Sequence, residues 1–252
     1  MKRMMSILLA AFLIFAVAGP AAAYFDDLHL IRSIYTNAGT TEIGSDLGAD
    51  VSTLTLANPL NDFRGDLIAL SAFDGGDLAV GYWAHAQANT DFYATGLVGG
   101  TLTMYGRKQS AADGVMNATQ ALYAAENATT ATIIKPDLGS YFNKFEVNGN
   151  NLGSMGSILS TPIMTASLAD LATVGYVDQA LYFFDYNGSS SAKNGIEVAT
   201  IRTFLTFDGT TMDLAGDKIA TVINPSAVPV PAAVWLLGSG LLGLIGIRRR
   251  NA

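Results

Sequence analysis

Cysteine is absent from the 252 residues of the chain. Its absence excludes a disulfide framework, a thiolate zinc site, an iron–sulfur cluster and a cysteine nucleophile. Basic residues are also scarce in the body of the chain, because five of the 14 Lys and Arg lie in the two terminal segments. Residues 24–227 hold nine basic and 21 acidic residues, a formal net charge of −12. A nucleic-acid partner is not expected, since phosphate binding needs a basic face.

Histidine and glutamate are few as well, with two histidines and four glutamates against 17 aspartates. A Ser–His–Asp hydrolase needs an imidazole base, and the sequence has no Gly-x-Ser-x-Gly nucleophile motif. His29 alternates with apolar neighbours in a predicted strand and is expected to point to solvent, while His85 ends another predicted strand as a surface residue. No catalytic or cofactor-binding set stands out, so the chain is predicted to be non-enzymatic.

Two alternative functions involve carbohydrate. A secreted carbohydrate-active enzyme needs two facing carboxylates about 5 to 10 Å apart in a cleft lined with aromatic residues, and the many aspartates make chance pairs unavoidable. A sugar-binding β-sandwich without catalysis presents aromatic rings on a flat exposed face. Tyr82 and Trp83 are the candidate rings, although aromatic residues on a sheet face more often belong to the core.

Residues 1–23 are typical of a secretory signal peptide. Two basic residues follow Met1, residues 7–18 are apolar, and the alanines at the end of the segment satisfy the small-x-small cleavage rule. The predicted cleavage site is formed by Ala21, Ala23 and Tyr24, with Tyr24 as the mature N-terminus. The apolar run is too short for a membrane anchor, which is the alternative interpretation.

The C-terminal segment has three parts. A linker with a proline motif at 224–231 precedes an uncharged segment at 232–247, and the basic tail 248–252 contains Arg248, Arg249 and Arg250. Sixteen helical residues span about 24 Å, just short of a hydrocarbon core of about 30 Å. The pattern predicts a marginal transmembrane helix whose arginines stay in the cytoplasm, so that the body is exported through the inner membrane.

The proline motif consists of Val228, Pro229, Val230, Pro231, Ala232 and Ala233. A Gly-rich apolar span follows it. This tripartite tail resembles the PEP-CTERM class of sorting signals in its VPLPA variant, with Val230 where that variant usually has leucine. The resemblance implies an exosortase-type membrane protease as partner, a transient stay in the inner membrane of a Gram-negative bacterium, and release to the cell surface or an exopolysaccharide (biofilm) matrix. An ordinary single-span anchor is the plainer alternative.

Residues 24–223 are predicted to form one β-rich extracytoplasmic domain. Short runs of β-branched and aromatic residues between Gly, Asn and Asp turns predict strands, and alternation in Thr203–Phe207 predicts one solvated face. The predicted strands are Leu28–Tyr35, Val51–Ala57, Asp66–Phe73, Asp77–Ala84, Phe92–Val98, Thr101–Gly106, Thr130–Ile134, Phe142–Val147, Ala180–Tyr186, Glu197–Phe207 and Lys218–Ile223.

Helix is predicted in two places, at Asp113–Asn127 and, as a turn or two, at Thr165–Leu171. The fold class is therefore mainly β: an antiparallel β-sandwich of about ten strands with one or two short helical insertions. A signal helix and a C-terminal transmembrane helix flank it.

Calcium is the remaining small ligand that the composition suggests, since it takes oxygen ligands from loop Asp and Asn residues. The candidate ligands are Asp185, Asn187, Asp208, Asp213 and Asp217, although turn formation alone explains aspartate at such positions. Together with the signal peptide and the C-terminal sorting tail, these features predict an exported structural or adhesion protein that is sorted to the cell surface or matrix.

Overall fold

The computed structural model describes the body of the chain in several stretches. The described residues are 25–54, 56, 66–75, 77–86, 91–105, 109–134, 137–145, 155, 158–159, 166–185 and 193–223. The signal peptide with Tyr24, the linker and proline motif, the transmembrane segment and the terminal arginines lie outside the described residues.

The body is mainly antiparallel β, as predicted, and every strand pairing among the described residues is antiparallel. Most of its longer strands are rich in β-branched and aromatic side chains, which pack well on a pleated surface. The strands are β1 (His29–Thr36), β2 (Thr41–Asp50), β3 (Ile68–Ala69), β4 (Leu78–Ala86), β5 (Asp91–Gly96), β6 (Thr103–Met104), β7 (Thr130–Ile134), β8 (Ala166–Ser167), β9 (Tyr176–Phe184), β10 (Lys193–Asn194), β11 (Ile196–Thr206) and β12 (Lys218–Ile223).

Ten of the described strands form one sheet in the order β3-β12-β11-β9-β5-β4-β1-β2-β7, with β8 paired to β4, and β6 pairs separately with β10. Adjacent strands from β1 through β4, β5, β9 and β11 to β12 are all antiparallel, so β1 and β12 run in opposite directions. The start of β1 and the end of β12 therefore lie at the same end of the sheet. We call this the terminal end. The opposite end, which carries the loop residues 37–40, 74–75 and 207–217, is the distal end.

The first two of the three described helices cover one face of the sheet, which we call the helical face, and the third packs against the opposite, inner face. The helices are α1 (Gln109–Ala124), α2 (Tyr141–Phe145) and α3 (Leu171–Val174), with 3₁₀ turns at Val51–Thr53, Leu70–Ala72 and Leu168–Asp170. The predicted helix at Asp113–Asn127 is confirmed as α1, which buries residues at i, i+3, i+4, i+7, i+8 and i+11 from Ala112 to Tyr123. None of the helices in the described part of the chain is long and apolar enough to cross a membrane.

The strands bury side chains on both faces of the sheet. Trp83 and Phe92 lie on the helical face, under α1 and α2, and Val80 and Ile201 lie on the inner face. Residues 203–206 of β11 are all buried, so the prediction of a solvated face there is wrong. A strand that is buried on both faces of the sheet lacks the regular alternation of polar and apolar residues that identifies a solvated face.

The sheet is curled around its inner face. The guanidinium of Arg32 on β1 donates from Nη1 to Thr221 Oγ1 on β12 at 3.0 Å, although four strands lie between β1 and β12 in the sheet order. The hydroxyl of Tyr82 on β4 lies 2.6 Å from Thr203 Oγ1 and 2.8 Å from Thr221 Oγ1. Ten of the twelve described strands belong to one curled sheet, and the two stacked sheets of a sandwich stay a prediction.

Three predicted strands take another form in whole or in part. Of the predicted strand Asp66–Phe73 only Ile68–Ala69 is strand, and Leu70–Ala72 is a 3₁₀ turn. Residues 51–53 form a 3₁₀ turn, started by the Asp50 carboxylate, which accepts from Ser52 N at 2.9 Å. Tyr141–Phe145 is helix α2 rather than the start of a strand. The strand β2 was not predicted, because its sequence is rich in Gly, Ser and Asp, which have low strand propensity.

Candidate interaction surface

The first described residue anchors the terminal end of the sheet. Phe25 is 2% exposed and its ring lies 5.3 Å from that of Tyr123 on α1. Its backbone N–H donates to Asp46 Oδ2 at 2.6 Å, and its carbonyl accepts from Gln120 Nε2 at 2.5 Å. The predicted mature N-terminus thus precedes a residue that is fixed in the core.

The two histidines both pair with aspartates. His29 Nδ1 lies 2.9 Å from Asp46 Oδ2, and its side chain is 29% exposed, so it is tied to the neighbouring strand β2 rather than directed to solvent. His85 Nε2 lies 2.5 Å from Asp113 Oδ1 on α1, and its side chain is fully buried, so the prediction of a surface residue is wrong. Both pairs fasten elements together at the helical side of the terminal end.

Glu42 on β2 is a buried carboxylate of the helical face. It accepts hydrogen bonds from the Tyr123 hydroxyl at 2.8 Å and from the backbone N–H groups of Tyr141 and Phe142, each at 2.7 Å. Burial raises the pKa of Glu42 to about 7, and these hydrogen bonds only partly oppose that shift. The carboxylate caps the first turn of α2, so its lone pairs are used by the protein itself.

Arg32 places a guanidinium inside the inner face. Besides Thr221, it donates from Nη2 to Ser45 Oγ at 3.2 Å and to the Asp66 carbonyl at 2.6 Å. Burial lowers the pKa of this guanidinium. Because its described partners are hydroxyls and a carbonyl on three separate segments, Arg32 holds the curled sheet together.

The predicted calcium ligands within the described part do not converge. Asp208 Oδ1 accepts from the backbone N–H groups of Thr210 at 2.8 Å and Thr211 at 2.9 Å, and Asp213 Oδ1 accepts from Ala215 N at 2.9 Å. These bonds to backbone N–H groups hold the pKa of Asp208 well below its usual value. Both aspartates therefore cap their own turns.

The remaining calcium candidates are Asp217 and Asp185, whose backbone carbonyls accept from Leu70 N at 2.8 Å and from Lys193 Nζ at 2.5 Å, and Asn187, which lies outside the described residues. Within the described stretches, no group of three or more His, Asp or Glu side chains lies close enough together to hold a metal ion.

The aromatic residues proposed for sugar stacking lie in the core. Trp83 and Tyr82 are each 0% exposed. The Trp83 indole donates to Ser33 Oγ at 3.1 Å, and its ring centroid lies 5.3 Å from that of Phe145. Neither ring is accessible to a glycan.

A pocket of about 220 Å³ opens at the distal end, and we call it the leucine pocket. It continues the inner core, since it lies where the curled sheet opens between β3, β4 and β11. Its lining residues are Leu70, Asp77, Leu78, Leu168, Ala169, Leu171 and Leu205. The 3₁₀ turn that contributes Leu168 is capped by Ser167, whose hydroxyl accepts from Ala169 N at 3.2 Å.

One exposed aspartate lines this pocket, and two others lie in backbone segments that adjoin it. Asp77 is in its lining and exposed. Asp213 N donates to the carbonyl of Leu205 at 2.9 Å, and the Asp217 carbonyl accepts from Leu70 N, so both aspartates adjoin lining residues. Lys218 is a basic residue at this end, and its Nζ donates to the Phe207 carbonyl at 3.0 Å. The distal end therefore combines an apolar pocket with negative charge.

Sequence reasoning missed the leucine pocket, because its leucines come from five separate elements and none forms a motif. The comparisons with known proteins add no assignment: no family model, no curated protein and no solved structure matches the chain.

Proposed function

We propose that the protein is an exported, non-catalytic structural or adhesion protein of the cell surface or exopolysaccharide matrix. The observation that carries the proposal is the placement of both chain ends of the body at one end of the sheet. A signal peptide and a sorting tail are then attached on the same side. The distal end is left free to face outward.

In this proposal each terminal segment has one task. Residues 1–23 form a signal helix that is cleaved before Tyr24. Residues 224–231 are the linker and proline motif read by an exosortase-type protease, 232–247 form a transient transmembrane helix, and 248–252 stay in the cytoplasm. Short glycine-containing helices are poor permanent anchors, and each arginine costs a few kcal/mol at the membrane centre.

The body of 24–223 acts as the scaffold. We propose that the two halves of its curled sheet serve as the layers of a sandwich, held by Arg32 and Tyr82. A non-catalytic role is supported by the use of its carboxylates, because Asp208, Asp213 and Glu42 accept backbone hydrogen bonds within the body. These carboxylates serve as caps of turns and of a helix.

The proposal is tested by fractionating a producing strain that carries tail variants. Deletion of residues 229–252 is expected to move the body to soluble periplasm or medium without sorting. Replacement of Pro229 and Pro231 by Ala is expected to leave full-length protein in the membrane, because the extended segment offered to the protease is lost. Replacement of the three arginines by Ala is expected to give misinserted precursor.

Mass spectrometry of the mature protein identifies both termini. A mature N-terminus at Tyr24 and a C-terminus within 228–233 support the proposal. Normal maturation in both the proline and the arginine variants, or a body that stays in the cytoplasm, contradicts it.

A further inference from the structure

We propose that the leucine pocket receives an apolar side chain from a basic peptide segment of a partner protein. The inference rests on the distal end alone and not on the sorting tail. The pocket lies where the inner core of the curled sheet reaches solvent: buried Leu168 and Leu205 line it together with half-buried Leu78.

The size of the pocket favours a single side chain. A volume of about 220 Å³ is below the roughly 300 to 1,000 Å³ of pockets that enclose drug-sized ligands. It is above the roughly 150 Å³ of a cavity that binds benzene. One leucine or phenylalanine side chain therefore matches it, and the leucine lining gives that side chain an apolar surface to bury.

An apolar shelf extends the pocket beyond α3. Val174, Met212 and Leu214 are 56%, 41% and 55% exposed. Met212 and Leu214 contact the position of Gly175, since a Cβ built there would lie 3.2 Å from a side-chain atom of each. Neighbouring exposed apolar residues of this kind mark interaction sites, and the shelf provides room for a second apolar residue of the same segment.

The charge at the rim sets the chemistry of the partner. Asp77 presents an exposed carboxylate in the lining, with the Ser167 hydroxyl 3.5 Å from it. Asp213 and Asp217 adjoin the lining residues Leu205 and Leu70. Lysine or arginine residues flanking the inserted side chain complement this rim, and they bring the segment to the body by long-range attraction.

Other occupants fit less well. A sugar needs several convergent polar groups, whereas Asp77 is the polar side chain of the described lining. An anionic lipid surface and the same end of a second copy both present negative charge, which the distal aspartates repel.

The test measures fluorescence anisotropy of a labelled peptide, acetyl-Lys-Lys-Leu-Phe-Lys-Lys-amide, on the full chain in phosphatidylcholine nanodiscs, with empty nanodiscs as blank. A second peptide has Ser-Ser in place of Leu-Phe, and a third has Glu in place of Lys. Wild-type protein is expected to bind the first peptide at least tenfold more tightly than either of the others. The difference in affinity between the first peptide and the Glu peptide is expected to shrink with added salt, because the rim charges are exposed.

Variants locate the binding. Ala169→Phe fills the pocket from its exposed rim, and Asp77→Lys reverses the rim charge; each is expected to weaken binding at least tenfold. Glu126→Gln removes one exposed carboxylate at the terminal end and is the matched control, expected to bind as wild type. Thermal melts confirm that each variant is folded.

The proposal is overturned if wild-type protein binds none of the peptides, or if the Leu-Phe and Ser-Ser peptides bind equally, which indicates attraction to the acidic body only. It is also overturned if both pocket variants bind as wild type does. If Ala169→Phe does not fold, Asp77→Lys and amide NMR shifts of the lining residues on peptide addition decide the matter. Tighter binding to anionic vesicles than to the peptide likewise contradicts it.

Discussion

Glu42 shows how one residue couples a strand to a helix. Its carboxylate is removed from water, which costs free energy for the charged form. Its hydrogen bonds to the first N–H groups of α2 recover part of that cost, and they fix a five-residue helix that is too short to be stable alone. The same contacts make the stability of the body depend on the protonation of one side chain.

The pKa of Glu42 predicts the direction of that dependence. The value rises from 4.5 in the unfolded chain to about 7 in the folded body, so folding favours the protonated form. The contribution of Glu42 to the free energy of unfolding is fully present below pH 4.5, and it is lost as the pH rises through 7. We expect the free energy of unfolding to fall by roughly 3 kcal/mol between pH 5 and 8 from this group.

Urea unfolding across this pH range measures the effect. Glu42→Gln is expected to be less stable than wild type at pH 5, because an amide replaces one acceptor, and to lose the decline above that pH. The exposed Glu126→Gln is the control and should keep the wild-type profile. An unchanged pH profile in Glu42→Gln contradicts the assignment.

At the scale of elements, strand β2 and helix α1 depend on two glycines in opposite ways. A Cβ built on Gly44 of β2 would lie 2.4 Å from the Tyr123 ring, whereas one built on Gly114 of α1 meets nothing within 4 Å. The first glycine permits the close approach of α1 to the sheet. The second merely lowers helix propensity.

Alanine at these positions is expected to change stability in opposite directions. Gly44→Ala should destabilise the body by about 1 to 3 kcal/mol through overpacking against Tyr123. Gly114→Ala should stabilise it by about 0.5 to 1 kcal/mol through helix propensity. Urea unfolding of both variants at one pH measures the pair, and two changes of the same sign would contradict the packing described for α1.

The elements that sequence predicts well are those with strong local signals. β7 and β12 have the predicted bounds, and α1 follows from its apolar spacing. β2 and α2 depend on each other through Glu42, whose carboxylate accepts a hydrogen bond from the backbone N–H of Tyr141, 99 positions away. Local propensity carries no information on such a contact, and it therefore predicts a strand at Phe142–Val147, whose first four residues lie in α2. The leucine pocket is a product of the same kind of long-range assembly.

At the scale of the whole molecule, the placement of the chain ends determines how the body bears load. A body held through its C-terminal segment and pulled at its distal end carries force along the strands. β12 pairs with β11 at six positions, and the hydrogen bonds lie across the strand direction. All six pairs are then loaded together in shear, whereas pulling the two chain ends apart opens the sheet from one end.

Single-molecule force spectroscopy distinguishes these two geometries. Because the chain has no cysteine, Asp77→Cys gives a unique thiol handle at the distal end, and Asp26→Cys gives one at the terminal end. With the C-terminal segment as the second attachment point, the distal handle is expected to require the higher unfolding force. Equal forces would contradict the shear geometry. The topology that places the start of β1 and the end of β12 at the same end of the sheet thus predicts a body that resists force better between its C-terminal segment and its distal end than between its two chain ends.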